Sequence, residues 1–149
     1  MVQLLATWFY LGKSPWAPGT LGTLGAVPLV WLLAQLHPLA YMGWALALCV
    51  ISVFVATAHE LKLGVHDSGE IVIDEVVGFV VAMTWLPFSW VFCLSAFLLF
   101  RFLDIWKPFP IGWLDRKIQG GIGVVTDDVA AGIITNMVLQ LVYFKTGFL

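Results

Sequence analysis

Residues 38–58 contain no charged side chain and are mostly apolar. About 20 apolar residues in a helix are enough to cross the hydrocarbon core of a bilayer, so this run predicts a membrane-spanning helix. The break at His37-Pro38 marks its start. Over the whole chain only 11% of the residues are charged, against about 25% in an average soluble protein, which favours a chain embedded in lipid.

Prolines and charges divide the rest of the chain into further helices. No charge occurs from Val76 to Phe100, but Pro87 interrupts this run. Two antiparallel helices joined by a tight turn are therefore expected, and the alternative is a single kinked span. The additional helices are predicted at about residues 20–36, 71–86, 89–106 and 127–144. The sequence thus predicts an all-α, polytopic membrane helical bundle of about four to five membrane helices, forming one domain over residues 1–149.

A break at Pro87 would place three polar segments, 12–20, 59–75 and 101–128, on one side of the membrane. Six of the seven basic residues then lie on that side, and only Lys145 lies opposite. Loops rich in Lys and Arg usually face the cytoplasm, so this charged end is predicted to be cytoplasmic. The six basic residues are Lys13, Lys62, Arg101, Lys107, Arg116 and Lys117.

The first long helix carries small residues on one face. Gly19, Gly22, Thr23 and Ala26 follow the spacing i, i+3, i+4 and i+7. Such a face lets another helix or a ligand approach closely, and helix packing is the simpler interpretation.

Two acidic pairs are the strongest candidates for chemistry. These pairs are Asp74-Glu75 and Asp127-Asp128. Near lipid, the two adjacent carboxylates of each pair would repel each other unless a cation neutralises them. Each pair is predicted at the start of a helix, and Gly120-Gly121-Ile122-Gly123 before the second pair is expected to form a flexible, anion-binding backbone. Hard oxygen ligands suit Mg²⁺, so the four acids are candidate metal ligands. The alternative is that they act as helix caps and salt-bridge partners.

Arg101, Asp104 and Lys107 follow at intervals of three residues and line one helix face. This alternation suits a site in which cations hold a phosphate beside a carboxylate, although Arg101 and Asp104 could simply form an ion pair. The sequence lacks the Cys-x5-Arg loop of cysteine phosphatases and the Asp-x-Asp-x-Thr segment of aspartyl-phosphate enzymes. Metal-activated water or a carboxylate nucleophile remains as the attacking group. A net charge of −2 without a polybasic run argues against a nucleic-acid partner.

Several motifs, in this order, closely resemble the bacterial phosphatidylglycerophosphatase A family. They are Ser14-Pro15-Trp16-Ala17-Pro18-Gly19-Thr20, Gly22-Thr23-Leu24, His66-Asp67, Ile71-Val72-Ile73-Asp74-Glu75-Val76-Val77-Gly78, Phe100-Arg101-Phe102-Leu103-Asp104-Ile105-Trp106-Lys107-Pro108-Phe109-Pro110-Ile111, Asp115-Arg116 and Gly120-Gly121-Ile122-Gly123 to Asp127-Asp128. The resemblance implies an all-helical, Mg²⁺-dependent enzyme of the bacterial cytoplasmic (inner) membrane. Such an enzyme removes the terminal phosphate of phosphatidylglycerophosphate to give phosphatidylglycerol, a step of glycerophospholipid biosynthesis.

Our hypotheses for individual roles combine this resemblance with the patterns above. Arg101 and Lys107 hold the phosphate, and Asp104 orients or deprotonates the attacking water. Asp67 and Asp115 are further candidates. The residues expected to complete the substrate pocket are Lys13, Thr20, Thr23 and Gly121.

Two other functions fit parts of the pattern. Carboxylates within a membrane also mark ion pathways, so a small ion or proton transporter is the main alternative. A transporter would place charges near the midplane or on both sides, whereas these collect at one end. A synthase that transfers an alcohol to a CDP-lipid is disfavoured because its spaced Asp-Gly-Ala-Arg signature is absent. Membrane lipids are the expected partners, and the oligomeric state is left open.

Overall fold

The computed structural model describes residues 1–65 and 68–146, and all regular elements within these ranges are helical. A short 3₁₀ turn, Leu11–Lys13, follows the first helix. The prediction of an all-α fold is confirmed. In chain order the α-helices are α1 (Val2–Ala6), α2 (Pro18–Leu33), α3 (Pro38–Leu63), α4 (Ile73–Ala82), α5 (Trp90–Trp106), α6 (Ile111–Lys117) and α7 (Gly120–Thr146).

The short helix α4 lies at the centre of the bundle. It packs against α2, α3, α5 and α7, and Val76, Phe79 and Val80 have no exposed surface. Apolar residues around the whole circumference are typical of a helix with neighbours on all sides. With ten residues, α4 is roughly 15 Å long, too short to cross a bilayer by itself.

Helices α4 and α5 form the predicted antiparallel hairpin. The ring of Phe79 lies 6.4 Å from that of Phe97 and 6.3 Å from that of Phe100. Glu75, one turn before Phe79 on α4, lies next to Arg101, one turn after Phe97 on α5, so the two helices run in opposite directions. The chain therefore reverses near Pro87, and the single kinked span is excluded. The reversal begins earlier than expected, because α4 ends at Ala82 and Trp85 adopts a left-handed backbone conformation.

The small-residue face of α2 packs closely, as predicted. Gly19, Gly22, Thr23 and Ala26 are all buried. A Cβ added at Gly22 would lie 2.8 Å from the Cβ of Val72, so glycine is needed for this approach.

The prediction for the start of α7 is wrong. This helix begins at Gly120, seven residues before Asp127, so neither Asp127 nor Asp128 lies at a helix start. Gly121 lies against Val53 and Thr57 of α3, where a Cβ would meet the Val53 carbonyl oxygen at 2.8 Å. Close helix packing thus explains a glycine-rich stretch that we predicted to be a flexible, anion-binding loop.

Polar side chains satisfy the carbonyl groups at the end of α4. Asn136 Nδ2 of α7 donates to the carbonyl oxygens of Ala82 (3.0 Å) and Thr84 (2.7 Å). Tyr41 Oη of α3 donates to the carbonyl oxygen of Val80 at 2.8 Å. The last carbonyls of a helix have no partner within it, so these contacts allow α4 to end inside the bundle.

Two helices, over Pro38–Leu63 and Gly120–Lys145, are long and apolar enough to cross a membrane. On α3, Trp44 and Phe54 expose more than half of their surface, as expected of a face that contacts lipid. Helices α2 and α5 have 16 and 17 residues, which corresponds to roughly 25 Å, slightly less than a typical hydrocarbon core. The structure supports two spans, and the total of four to five stays a prediction.

Candidate active site

A cavity of about 470 Å³ lies at the end of the bundle where α4 begins. Its walls come from the segments at 17–19, 68–75 and 101–128, the three polar segments that we predicted to meet on one side. The lining residues are Ala17, Pro18, Gly19, Ser68, Gly69, Ile71, Asp74, Glu75, Arg101, Asp104, Lys107, Asp115, Ile118, Gly123, Val124, Asp127 and Asp128.

The first acidic pair occupies the first turn of α4. Asp74 and Glu75 both line the cavity, although neighbouring residues on a helix point about 100° apart. The cavity therefore lies near their shared edge. The positive end of the helix dipole favours ionised carboxylates at this position.

The second acidic pair lies in the third turn of α7. Asp127 and Asp128 expose only 5% and 2% of their surface. They reach the cavity because α7 packs alongside α4, with the backbone of Asp128 against Gly78. No helix N-terminus stabilises them: Asp127 is held by Lys107, and Oδ1 of Asp128 has no hydrogen-bond partner among the described residues.

Arg101 and Asp104 form an ion pair in the cavity wall. Arg101 Nη1 lies 2.5 Å from Asp104 Oδ2 and 3.8 Å from Glu75 Oε1. The ion pair and a role in the site are compatible interpretations, since Arg101 and Asp104 also line the cavity. Arg101 Nε is buried and has no hydrogen-bond partner in the described part of the chain, so it can donate to a ligand.

Lys107 connects two acids from different helices. Its Nζ donates to Asp127 Oδ2 at 2.5 Å and to Asp115 Oδ1 at 2.7 Å. Burial lowers the pKa of Lys107, but its hydrogen bonds and its attraction to Asp115 and Asp127 outweigh that effect and raise the pKa above the usual lysine value. The ammonium group therefore stays charged at neutral pH.

Two groups of carboxylates within residues 1–65 and 68–146 have a geometry that could hold a metal ion. Asp74, Glu75 and Asp128 form one, and Asp104, Asp127 and Asp128 form the other. Within each group, one ligand oxygen per residue lies within 4.8 Å of the others.

The donor atoms of these groups fit a divalent cation. Oδ1 of Asp74, Asp127 and Asp128 and Oε2 of Glu75 are buried and lack a hydrogen-bond partner among the residues described. Buried carboxylate oxygens without a donor are costly, and a cation would satisfy them. Carboxylates are the ligands that Mg²⁺ prefers.

The N-terminus of α2 forms another wall of the cavity. The first helical hydrogen bond runs from the Leu21 amide to the Ala17 carbonyl, so the amide of Gly19, which lines the cavity, precedes the ladder. Gly19 also lets the Glu75 side chain lie close to the backbone of α2, because a Cβ at this position would collide with Glu75 Oε1. Unpaired amides at a helix N-terminus bind anions well.

Four residues predicted for the substrate pocket are absent from the described lining of the cavity: Lys13, Thr20, Thr23 and Gly121. The Thr23 hydroxyl instead donates to the Gly19 carbonyl at 2.9 Å, and Gly121 packs against α3. Roles for these four residues in the substrate pocket therefore stay predictions. Asp67 lies outside the described residues.

Helix α6 is the part of the site that the sequence did not reveal. It brings Asp115, one of the further candidates from the sequence, to Lys107. Seven residues following two prolines are too few for a clear helical period, so the pattern gave little signal.

The fold and the cavity define a class of protein: an apolar helical bundle with a terminal cavity in which clustered carboxylates lie beside an arginine and a lysine. The chain belongs to the phosphatidylglycerophosphatase A family, whose profile matches residues 4–143. It is therefore an enzyme, a phosphatase of that family.

Three relatives show how far the similarity extends. The chain is 40% identical to phosphatidylglycerophosphatase A of Escherichia coli (strain K12), covering 94% of this chain and 82% of the relative. It is 38% identical to phosphatidylglycerophosphatase A of Haemophilus influenzae, covering 96% and 89%. A putative phosphatidylinositol-3-phosphatase of Bacteroides thetaiotaomicron is 32% identical, with 97% and 94% covered. No solved structure matches.

Proposed function

We propose that this enzyme hydrolyses phosphatidylglycerophosphate to phosphatidylglycerol and inorganic phosphate, with Mg²⁺ as cofactor. The observation that carries the proposal is the cavity in which buried acids of α4 and α7 meet Arg101 and Lys107. Family membership supports the lipid phosphate as substrate.

The acids would hold the metal, and the basic residues would hold the phosphate. Mg²⁺ when bound would neutralise the phosphate and lower the pKa of a coordinated water. Lys107 uses two of its three N–H donors on Asp115 and Asp127, which leaves one for a phosphate oxygen. Arg101 contributes Nε, and the Gly19 amide at the start of α2 completes the anion-binding wall.

Asp104 is our candidate for orienting or deprotonating the attacking water. Its Oδ2 is engaged by Arg101, which fixes the side chain, and it lies in the cavity wall next to Asp128. A positioned base of this kind contributes to rate only when it is held in a defined geometry. The ion pair with Arg101 supplies that restraint.

The position of the site suits a lipid substrate. The cavity lies at one end of an apolar bundle, so the diacyl chains can stay in the bilayer while the phosphate enters from the surface. We propose that the enzyme is a multi-pass protein of the bacterial inner membrane with this end in the cytoplasm, as the distribution of Lys and Arg favours. The family match disfavours the transporter alternative.

Phosphate release by the purified full chain in detergent tests the proposal. We expect release from phosphatidylglycerophosphate with Mg²⁺, none after chelation, and slower release from phosphatidylinositol 3-phosphate. Asp74→Asn should lower kcat/KM at least about a hundredfold. Lys145→Ala, at the far end of α7, is the control and should match the wild type. Full release in the presence of chelator would refute the role of Mg²⁺, and no release under any condition would refute the substrate.

A further inference from the structure

The two metal-capable groups share a single residue, Asp128. It is grouped with Asp74 and Glu75 from α4 on one side, and with Asp104 of α5 and Asp127 on the other. Asp128 exposes 2% of its surface, lines the cavity, and its Oδ1 has no hydrogen-bond partner in residues 1–65 and 68–146. A carboxylate in this position can offer an oxygen to each side.

Each group contains a further buried oxygen without a donor. In the first it is Oδ1 of Asp74, which exposes 8% of its surface, and in the second it is Oδ1 of Asp127, which exposes 5%. One cation could satisfy one group, and the other group would keep a buried carboxylate oxygen with no partner. Such an oxygen is costly, and this disfavours a single cation.

The charge of the cavity points the same way. Six acids and two basic residues line it, which gives a formal net charge of −4. A phosphate monoester carries close to two negative charges near neutral pH, so it would be repelled. One divalent cation would leave the cavity negative, whereas two would make it neutral and allow the phosphate to enter.

We infer that the cavity binds two divalent cations and that Asp128 is the ligand shared by both. The first cation lies with Asp74 and Glu75, and the second with Asp104 and Asp127, so that of the two roles proposed for Asp104 it orients the attacking water and does not deprotonate it. The second position is weaker, because Arg101 and Lys107 already hold one oxygen each of Asp104 and Asp127. This inference deepens the proposed function and rests on the same cavity.

Mn²⁺ binding to the detergent-purified full chain tests the inference, because Mn²⁺ also accepts oxygen ligands and is paramagnetic. Equilibrium dialysis should give two Mn²⁺ per chain, and electron paramagnetic resonance should show a spin-coupled pair. Glu75→Gln and Asp104→Asn should each reduce the number to one and abolish the coupling. Glu70→Gln, outside the described cavity lining, is the matched control and should keep two.

Asp128→Asn should lose the coupled pair and bind at most one ion. Size-exclusion chromatography checks that this variant is folded, and if it is not, the Glu75 and Asp104 variants decide the question. One Mn²⁺ per wild-type chain that still hydrolyses the lipid phosphate would overturn the two-cation inference and leave the proposed function intact. Two coupled Mn²⁺ ions without any phosphate release would support the two-cation inference and refute the proposed function.

Discussion

Lys107 Nζ donates to Asp127 Oδ2 at 2.5 Å and so joins the end of α5 to the third turn of α7, twenty residues further along the chain. Lys107 itself adopts a left-handed conformation as the C-terminal cap of α5, which directs the chain toward α6. The same ammonium group holds Asp115 of α6. This single side chain therefore links the three helices that form one wall of the site.

Lys107→Ala should lower kcat/KM by about tenfold to a hundredfold. The substitution removes a group that holds the phosphate. It also leaves the buried Asp127 carboxylate without the Lys107 ammonium group, and a charged hydrogen bond of this kind contributes about 1.5–3 kcal/mol. Steady-state phosphate release measures the effect, and Lys145→Ala provides the control. If Lys107→Ala retains full activity, the assigned role in phosphate binding is wrong.

The contribution of Lys107 to stability should not vary between pH 7 and pH 9. Its pKa is raised in the folded state, so the stabilising effect is fully present below the unfolded-state pKa, about 10.4, and is lost only as pH rises through the folded-state value. Thermal unfolding of the wild type and of Lys107→Ala at both pH values measures this. A difference in midpoint that shrinks between pH 7 and pH 9 would show that the ammonium group titrates there.

Gly19→Ala should reduce activity by about a hundredfold while the protein remains folded. The new methyl group would collide with Glu75 Oε1 and lie 3.1 Å from Arg101 Nη1, so at least one of these groups must move. Displacing a catalytic group by about 1 Å typically has an effect of this size. Activity and thermal unfolding are measured together.

Gly43→Ala is the matched control for this substitution. Gly43 also lies in a helix, but no atom lies within 4 Å of the added Cβ in the described residues. Activity should stay unchanged, and stability should rise slightly because alanine favours a helix over glycine. Equal losses in both variants would mean that the Gly19 effect does not come from the site.

Asn136→Ala should destabilise the protein by about 2 kcal/mol without altering metal or phosphate binding. It leaves the Ala82 carbonyl oxygen without its side-chain donor and the Thr84 carbonyl oxygen with only the longer contact from Gln140 Nε2, at 3.3 Å. Unfolding in detergent measures the change, with the exposed neighbour Met137→Ala as control. Unchanged stability would show that other donors satisfy these carbonyls.

Much of the fold could be predicted from local patterns. The charge-free run at 38–58 became the core of α3, Pro87 marked the reversal between α4 and α5, and the small residues of α2 formed a packing face. These features depend on neighbouring residues in the chain, which a sequence displays directly. The start of α7 was missed because close packing of Gly121 on α3 outweighs the low helix propensity of glycine.

For the site, the sequence by itself determined which chemistry is available: acids at 74–75 and 127–128, and the alternating charges at 101, 104 and 107, which the predicted helix hairpin places at one end of an apolar bundle. Only the tertiary structure decided which oxygens face each other. It placed Asp128 in both carboxylate groups, brought Asp115 to Lys107, and kept Lys13, Thr20, Thr23 and Gly121 out of the described cavity lining. The physical reason is that these contacts join residues far apart in the chain, and helix packing around α4 sets their distances.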